Sequence, residues 1–144
     1  MAEIDFLIRN ARLAGNETPV DIGFAGSRIA TVAGGITCDA PSFDAGGRLA
    51  TPGLTETHIH LDKAGIIGRC ALCEGTLAEA VRETTKAKAA FTEEDVYARA
   101  AKVVEQAIAH GTTVMRSFVE IDPRAGFRSF EAIKAIRRDY ADAI

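Results

Sequence analysis

His58-Ile59-His60 is the pair of side chains in this sequence best placed to do chemistry. On a strand, positions two apart point to the same face, with Cα atoms roughly 6.6–7 Å apart. Two imidazoles placed this way converge, and neutral imidazole ligates Zn, Fe or Ni. The same spacing also suits two surface histidines that hold nothing. Asp62 and Lys63 follow directly. Asp62 is positioned to orient an imidazole from behind, and a solvated loop pair is the alternative, above all for Lys63. Cys70 and Cys73 have C-x-x-C spacing, but Cys38 alone supplies no second pair for a structural zinc site, so they read as a loop pair.

The elements that must carry these residues fall into two groups. Residues 1–52 are punctuated by glycine and rich in short β patterns: 4–8, 20–24, 28–32 and 42–45. Val20, Ile22 and Phe24 share one face of their strand. This segment reads as a small sheet or half of a sandwich. From residue 53 the pattern changes. Residues 54–60 read as a strand ending in the histidines, followed by a loop to Gly75. Thr76 with Glu79, and Thr92 with Asp95, have the spacing of capped helix starts, the first helix running to about Ala90. Val96, Ala100, Val103, Val104, Ala107 and Ile108 recur at helical spacing, and His110-Gly111 ends that helix. Residues 112–121 form the next strand, and Ser129 caps a last helix with Ile133, Ile136 and Tyr140 inward. Strand, helices, strand, helix is a βα run with parallel strands. In a β/α barrel the carboxyl ends of the strands build the active face, and the histidines sit at such an end.

Composition narrows the classes. The chain has 144 residues, 47% hydrophobic and 26% charged, with 17 basic against 20 acidic side chains. That balance lacks the basic footprint of a nucleic-acid binder. No apolar run approaches the roughly 18 residues of a membrane span. The acidic start lacks the basic region of a signal peptide, and three cysteines do not suit a disulfide scaffold. A cytoplasmic protein is the expectation, without nucleic-acid or membrane partners. Lys86, Lys88, Arg137 and Arg138 read as solvated helix faces. Arg116, Glu120 and Phe118 share one strand face, and the two charges there must be paired, with each other or with further strands.

The stretch from Ala50 to Lys63, ATPGLTETHIHLDK, resembles the first-strand signature of the amidohydrolase superfamily, most closely its cytosine-deaminase-like branch. His60-Leu61-Asp62, Gly75-Thr76-Leu77, His110-Gly111 and residues 115–122 fall where that branch has similar residues. The Pro52-Gly53 turn resembles the family's entry from a small β domain into the barrel. The resemblance implies an α/β fold: residues 1–52 as the N-terminal part of a small β-sandwich domain, and 53–144 as the first βα units of an incomplete (β/α)8 TIM barrel. It implies a metal-dependent hydrolase of non-peptide C–N bonds, a deaminase or aminohydrolase of a nitrogen heterocycle. One divalent ion, Zn or Fe, is implied, with His58 and His60 as its first two ligands. Asp62 is implied as a residue behind the ligands. Leu77 is implied as a residue whose main chain lines the substrate pocket, a core leucine being the alternative. Cytosine-acting relatives carry His where Phe118 stands, which argues against cytosine itself.

A complete barrel takes about 250 residues, so the resemblance makes this chain an N-terminal fragment. Two imidazoles leave a zinc site at least one protein ligand short, and no acid/base residue is assignable. His110, at a helix end, fits an interaction with the helix dipole better than catalysis. The rival readings are a non-catalytic truncated paralogue and a small interaction or metal-binding module. Free strand edges predict poor solubility or oligomerisation of the chain alone.

Overall fold

A computed structural model describes residues 3–71 and 73–144. Met1 and Ala2 of the acidic start, and Leu72 within the C-x-x-C stretch, lie outside the described residues. The chain divides into two compact units, Met1–Pro52 and Gly53–Ile144.

The first unit is one four-stranded sheet built from β1 (Phe6–Ala11), β2 (Val20–Ala25), β3 (Arg28–Ala33) and β4 (Ser42–Asp44), in the order β3-β2-β1-β4. Neighbours are antiparallel except β1 and β4, which run parallel. Among the described residues it forms a single layer, so of the expected sandwich only one sheet is present. β1 carries a bulge: Ile8 faces Ile22 and Ala11 faces Val20, so β1 spends one residue more than β2. Asn10 takes up the extra length at φ +53°, a left-handed conformation that Asn tolerates. The buried Asp21 carboxylate secures it, accepting from the Asn10 and Ile36 amides at 2.9 Å each.

The second unit pairs β5 (Leu54–Ile59) with β6 (Thr112–Ser117) in parallel, as the βα pattern requires. Gly53 opens β5 because a Cβ there would sit 2.2 Å from the Thr113 hydroxyl oxygen. Between the strands run two short 3-10 turns, Leu61–Lys63 and Ile67–Arg69, then α1 (Leu77–Lys88) and α2 (Glu93–Ala109); α3 (Arg128–Asp139) follows β6. Thr76 and Thr92 cap α1 and α2 as expected, their hydroxyls accepting from the Glu79 and Asp95 amides. Val96, Ala100 and Val104 are the buried stripe of α2. Ala100 and Val104 pack with Leu61 and Ile136, and with Ile59 and Met115 from the two strands. Val96 joins Ile66, Ala87, Phe91 and Ala132 in a second cluster. His110 ends α2 with its Nδ1 2.6 Å from the Gln106 carbonyl, and Gly111 follows at φ +87°. Among the described residues, no helix is long and apolar enough to cross a membrane.

Four expectations are corrected. β6 ends at Ser117 rather than 121, because the chain then turns to engage groups outside the ladder. Ser129 does not cap α3. The Asp122 carboxylate organises a turn by accepting from the Arg124 and Ala125 amides, so the helix begins at Arg128 and buries Ser129 in its first turn. Lys88 is not on a solvated face; it is buried. Glu79 does not close a reciprocal box with Thr76. Its carboxylate reaches further back and accepts from the Cys73, Glu74 and Gly75 amides at 2.8–3.0 Å, and from the Cys73 thiol at 3.2 Å.

The Cys73 and Glu74 amides, with the thiol and the Gly75 amide, hold the Glu79 carboxyl at about 2, below its ordinary 4.5. A depressed acid contributes stability that is complete above its ordinary value and is lost as pH falls through the folded one. Glu79→Ala is therefore expected to lower Tm by roughly 5 °C or more at pH 7, by orphaning three amides at once. The difference from the parent should shrink as thermal melts are taken from pH 5 toward pH 2.

Candidate functional site

Alternation along β5 decides where the histidines point. Ile59 packs on the helices, so His58 and His60 lie on the opposite, open face. Their ring centroids are 5.5 Å apart. Phe118, just past β6, lies against both, its ring 4.5 Å from His58 and 5.8 Å from His60. The Phe118 amide donates to the Ile59 carbonyl, extending the ladder one step beyond β6 and bringing the three rings together. The His58 amide donates to the Glu56 carboxylate at 2.8 Å. The two imidazoles thus sit side by side at the carboxyl end of a parallel strand, half open to solvent.

Behind them is a packed set of charges. Asp62 is 1% exposed. One of its carboxylate oxygens accepts from the Glu120 amide at 3.1 Å, while the other faces His60 Nδ1 at 3.9 Å, beyond hydrogen-bond length. The Glu120 carboxylate forks between two ammonium groups, Lys63 on one oxygen and Lys88 on the other. Lys88 also donates to Asp122 at 2.8 Å. Glu120 therefore pairs with Lys63 and Lys88 rather than with Arg116, because the end of β6 at Ser117 takes Glu120 off the face that Arg116 occupies. Hydrogen bonds from Lys63 and Lys88 hold the Glu120 carboxyl at about 2. Burial pulls the Lys88 ammonium down, but its bonds to Asp122 and Glu120 outweigh that and keep its pKa above the ordinary value. Arg99 of α2 donates to the Asp62 and Ala64 carbonyls and anchors the turn beneath the histidines.

Leu77 is 82% exposed on the first turn of α1, outside the apolar clusters of this unit. Cys70 and Cys73 are free thiols. Among the described residues, Cys73, Glu74 and Glu79 are the one group of three ligating side chains within reach of a common ion. The Glu79 oxygens are already taken by three amides, so this cluster reads as a built turn. Among the described residues, neither histidine belongs to a group of three. The donor set still fits a zinc- or iron-type ion in part: two imidazoles, one with a buried Nδ1 that has no partner.

No protein-family model matches the chain. Over 96% of its length it superposes on 5-methylcytosine deaminase from Klebsiella pneumoniae liganded with 5-fluorocytosine, with TM-score 0.85 and 32% identity, covering 34% of that chain. Over nearly its whole length the chain is similar to amidohydrolases. N-isopropylammelide isopropylaminohydrolase from Burkholderia multivorans is similar over 96% of the chain and 35% of its own, with TM-score 0.76 and 28% identity. The N-isopropylammelide isopropyl amidohydrolase of Pseudomonas sp. (strain ADP) is 27% identical over 99% of the chain and 37% of its own length. The sequence thus spans about a third of the length of the relatives it matches, which are named as hydrolases of C–N bonds.

The charge set behind the histidines was only half visible in the sequence. Glu120 and Asp122 are two acids two residues apart at a strand end, a signal that a cation must come from elsewhere, but nothing local names Lys88. Lys88→Met leaves the Glu120 and Asp122 carboxylates facing each other with one cation gone. It is expected to cost ~2 kcal/mol, read as a lower urea midpoint at unchanged slope. Lys102→Met, exposed on α2, should cost no more than ~0.5 kcal/mol.

Proposed function

We propose that this chain contributes the first βα units of a (β/α)8 barrel and the first two ligands of its metal, in a hydrolase that removes an amino or alkylamino group from a nitrogen heterocycle. The observation that carries this reading is the placement of His58 and His60. They stand side by side on the open face at the carboxyl end of β5, the end at which barrel enzymes assemble their sites. The relatives named above for cytosine and ammelide chemistry support the substrate class.

His58 and His60 would hold one divalent ion, Zn or Fe, through imidazole nitrogens. Such an ion, when bound, supplies Lewis acidity and makes hydroxide available near neutral pH. Phe118 lies against both rings and offers a flat apolar surface next to the reacting position, which suits a planar ring and sheds water from that side. Leu77, exposed at the start of α1, is free to line the substrate side. Two protein ligands do not complete a catalytic zinc site. The acid/base group that delivers a proton to the departing amine must also come from outside residues 3–144.

Zinc titration by calorimetry of the 144-residue chain tests the ligand assignment. His58→Asn and His60→Asn are each expected to weaken zinc binding at least about tenfold. Equal affinity in the parent and both variants would sink it. Ammonia or alkylamine release from aminated pyrimidines and triazines tests the reaction class. It is expected from the polypeptide translated from the complete open reading frame, and not from residues 1–144 alone. Turnover by a pure, metal-loaded 144-residue preparation would overturn the statement that the site needs further residues.

A further inference from the structure

Among the described residues, two buried side-chain polar atoms have no hydrogen-bond partner: His60 Nδ1 and Asp62 Oδ1. They face each other at 3.9 Å, about 1 Å beyond bonding length. Two complementary orphans at that separation are one small rotation from satisfying each other. The His60 side chain is 37% exposed and has room to turn. Asp62 does not. It is 1% exposed, its second oxygen is held by the Glu120 amide, and its main-chain carbonyl is held by Arg99. Asp62 is therefore the fixed member of the pair and His60 the one that moves.

What fixes Asp62 is the position of Glu120. Its carboxylate is gripped by Lys63 from the turn below the histidines and by Lys88 from the end of α1, with Asp122 sharing Lys88. Three segments meet at this one side chain, and its amide is thereby presented to Asp62. We propose that Glu120 is a positioning residue for His60, acting through Asp62 and held in place by Lys63 and Lys88. Once the gap closes, Nδ1–H donates to Asp62 Oδ1, and His60 keeps its lone pair on Nε2, turned to the open face. The inference rests on the reading of His60 as a ligand, which gives the Nε2 lone pair its use.

The test uses the 144-residue chain with 15N-labelled histidine, without metal, at pH 8. Long-range 15N–1H correlation spectra report which ring nitrogen of His60 carries the proton. The Nδ1–H form is expected to dominate in the parent and to give way to a mixture in Asp62→Asn and Glu120→Gln. Zinc affinity of both variants should fall about tenfold or more, while Lys134→Met, which breaks a remote ion pair on α3, changes neither readout. If Glu120→Gln does not fold by circular dichroism, Lys63→Met, which removes one of the two gripping cations, takes its place. A parent His60 protonated at Nε2 overturns the proposal. So does a folded Glu120→Gln whose His60 spectrum and zinc affinity both match the parent. If the parent binds no zinc but its His60 proton still follows Glu120, the ligand reading fails and the positioning role stands.

Discussion

A carboxylate taken out of water must have its charge answered, and the second unit is arranged around that demand at Asp62. Its two oxygens look in opposite directions, one toward the Glu120 amide and one toward His60. Meeting the first requirement draws the segment after β6 away from the ladder, ends the strand at Ser117, and places Glu120 between two lysines. Those lysines come from the turn beneath the histidines and from the C-terminus of α1, so helix, turn and strand end are tied at one point. The apolar clusters around Phe91 and Val104 hold the helices on the sheet. The charge cluster decides how the sheet's upper end is finished, and that is where the imidazoles stand.

Local signals carried much of this architecture. Thr76 and Thr92 announce helix starts because a hydroxyl at that position answers backbone donors that have no other partner. The helical recurrence of Val96, Ala100 and Val104 announces a buried stripe, and the glycine-punctuated β runs announce a small sheet. The His-x-His pair was legible because strand alternation puts i and i+2 on one face. The misreadings have two causes. Ser129 has the chemistry of a cap, but the Asp122 turn already delivers the chain in helical form. Lys88 looks like one more surface lysine until carboxylates 32 and 34 residues away in the chain are brought against it. Glu79 has a box partner in sequence, yet the loop before α1 offers it three amides at once. For Lys88 a contact between distant segments outweighs the local preference, and no window of neighbouring residues contains it; for Ser129 and Glu79 a competing partner a few residues away does so.

The comparisons bear on the same division. Similarity extends along nearly the whole chain but across only about a third of each relative. The open face bearing His58 and His60 and the free edge of β6 belong to a sheet of two strands, whereas a closed barrel has no such edge. Beside β6, Val114, Phe130, Ile133, Tyr140 and Ile144 line an apolar groove.

The bond between the Glu120 amide and Asp62 joins residues 58 positions apart, and this separation orders events in time. A parallel pair cannot close through a tight turn, so β5 waits for both intervening helices and for β6 before it gains its partner. During synthesis, at about 5–20 residues per second, the two histidines leave the ribosome several seconds ahead of the residues that set them in place. In that interval they are two unconstrained imidazoles on a lone strand, open to any imidazole-binding ion in the surroundings. On the proposed ligand reading, the choice of ion by this face is a property of the finished fold and not of the nascent chain.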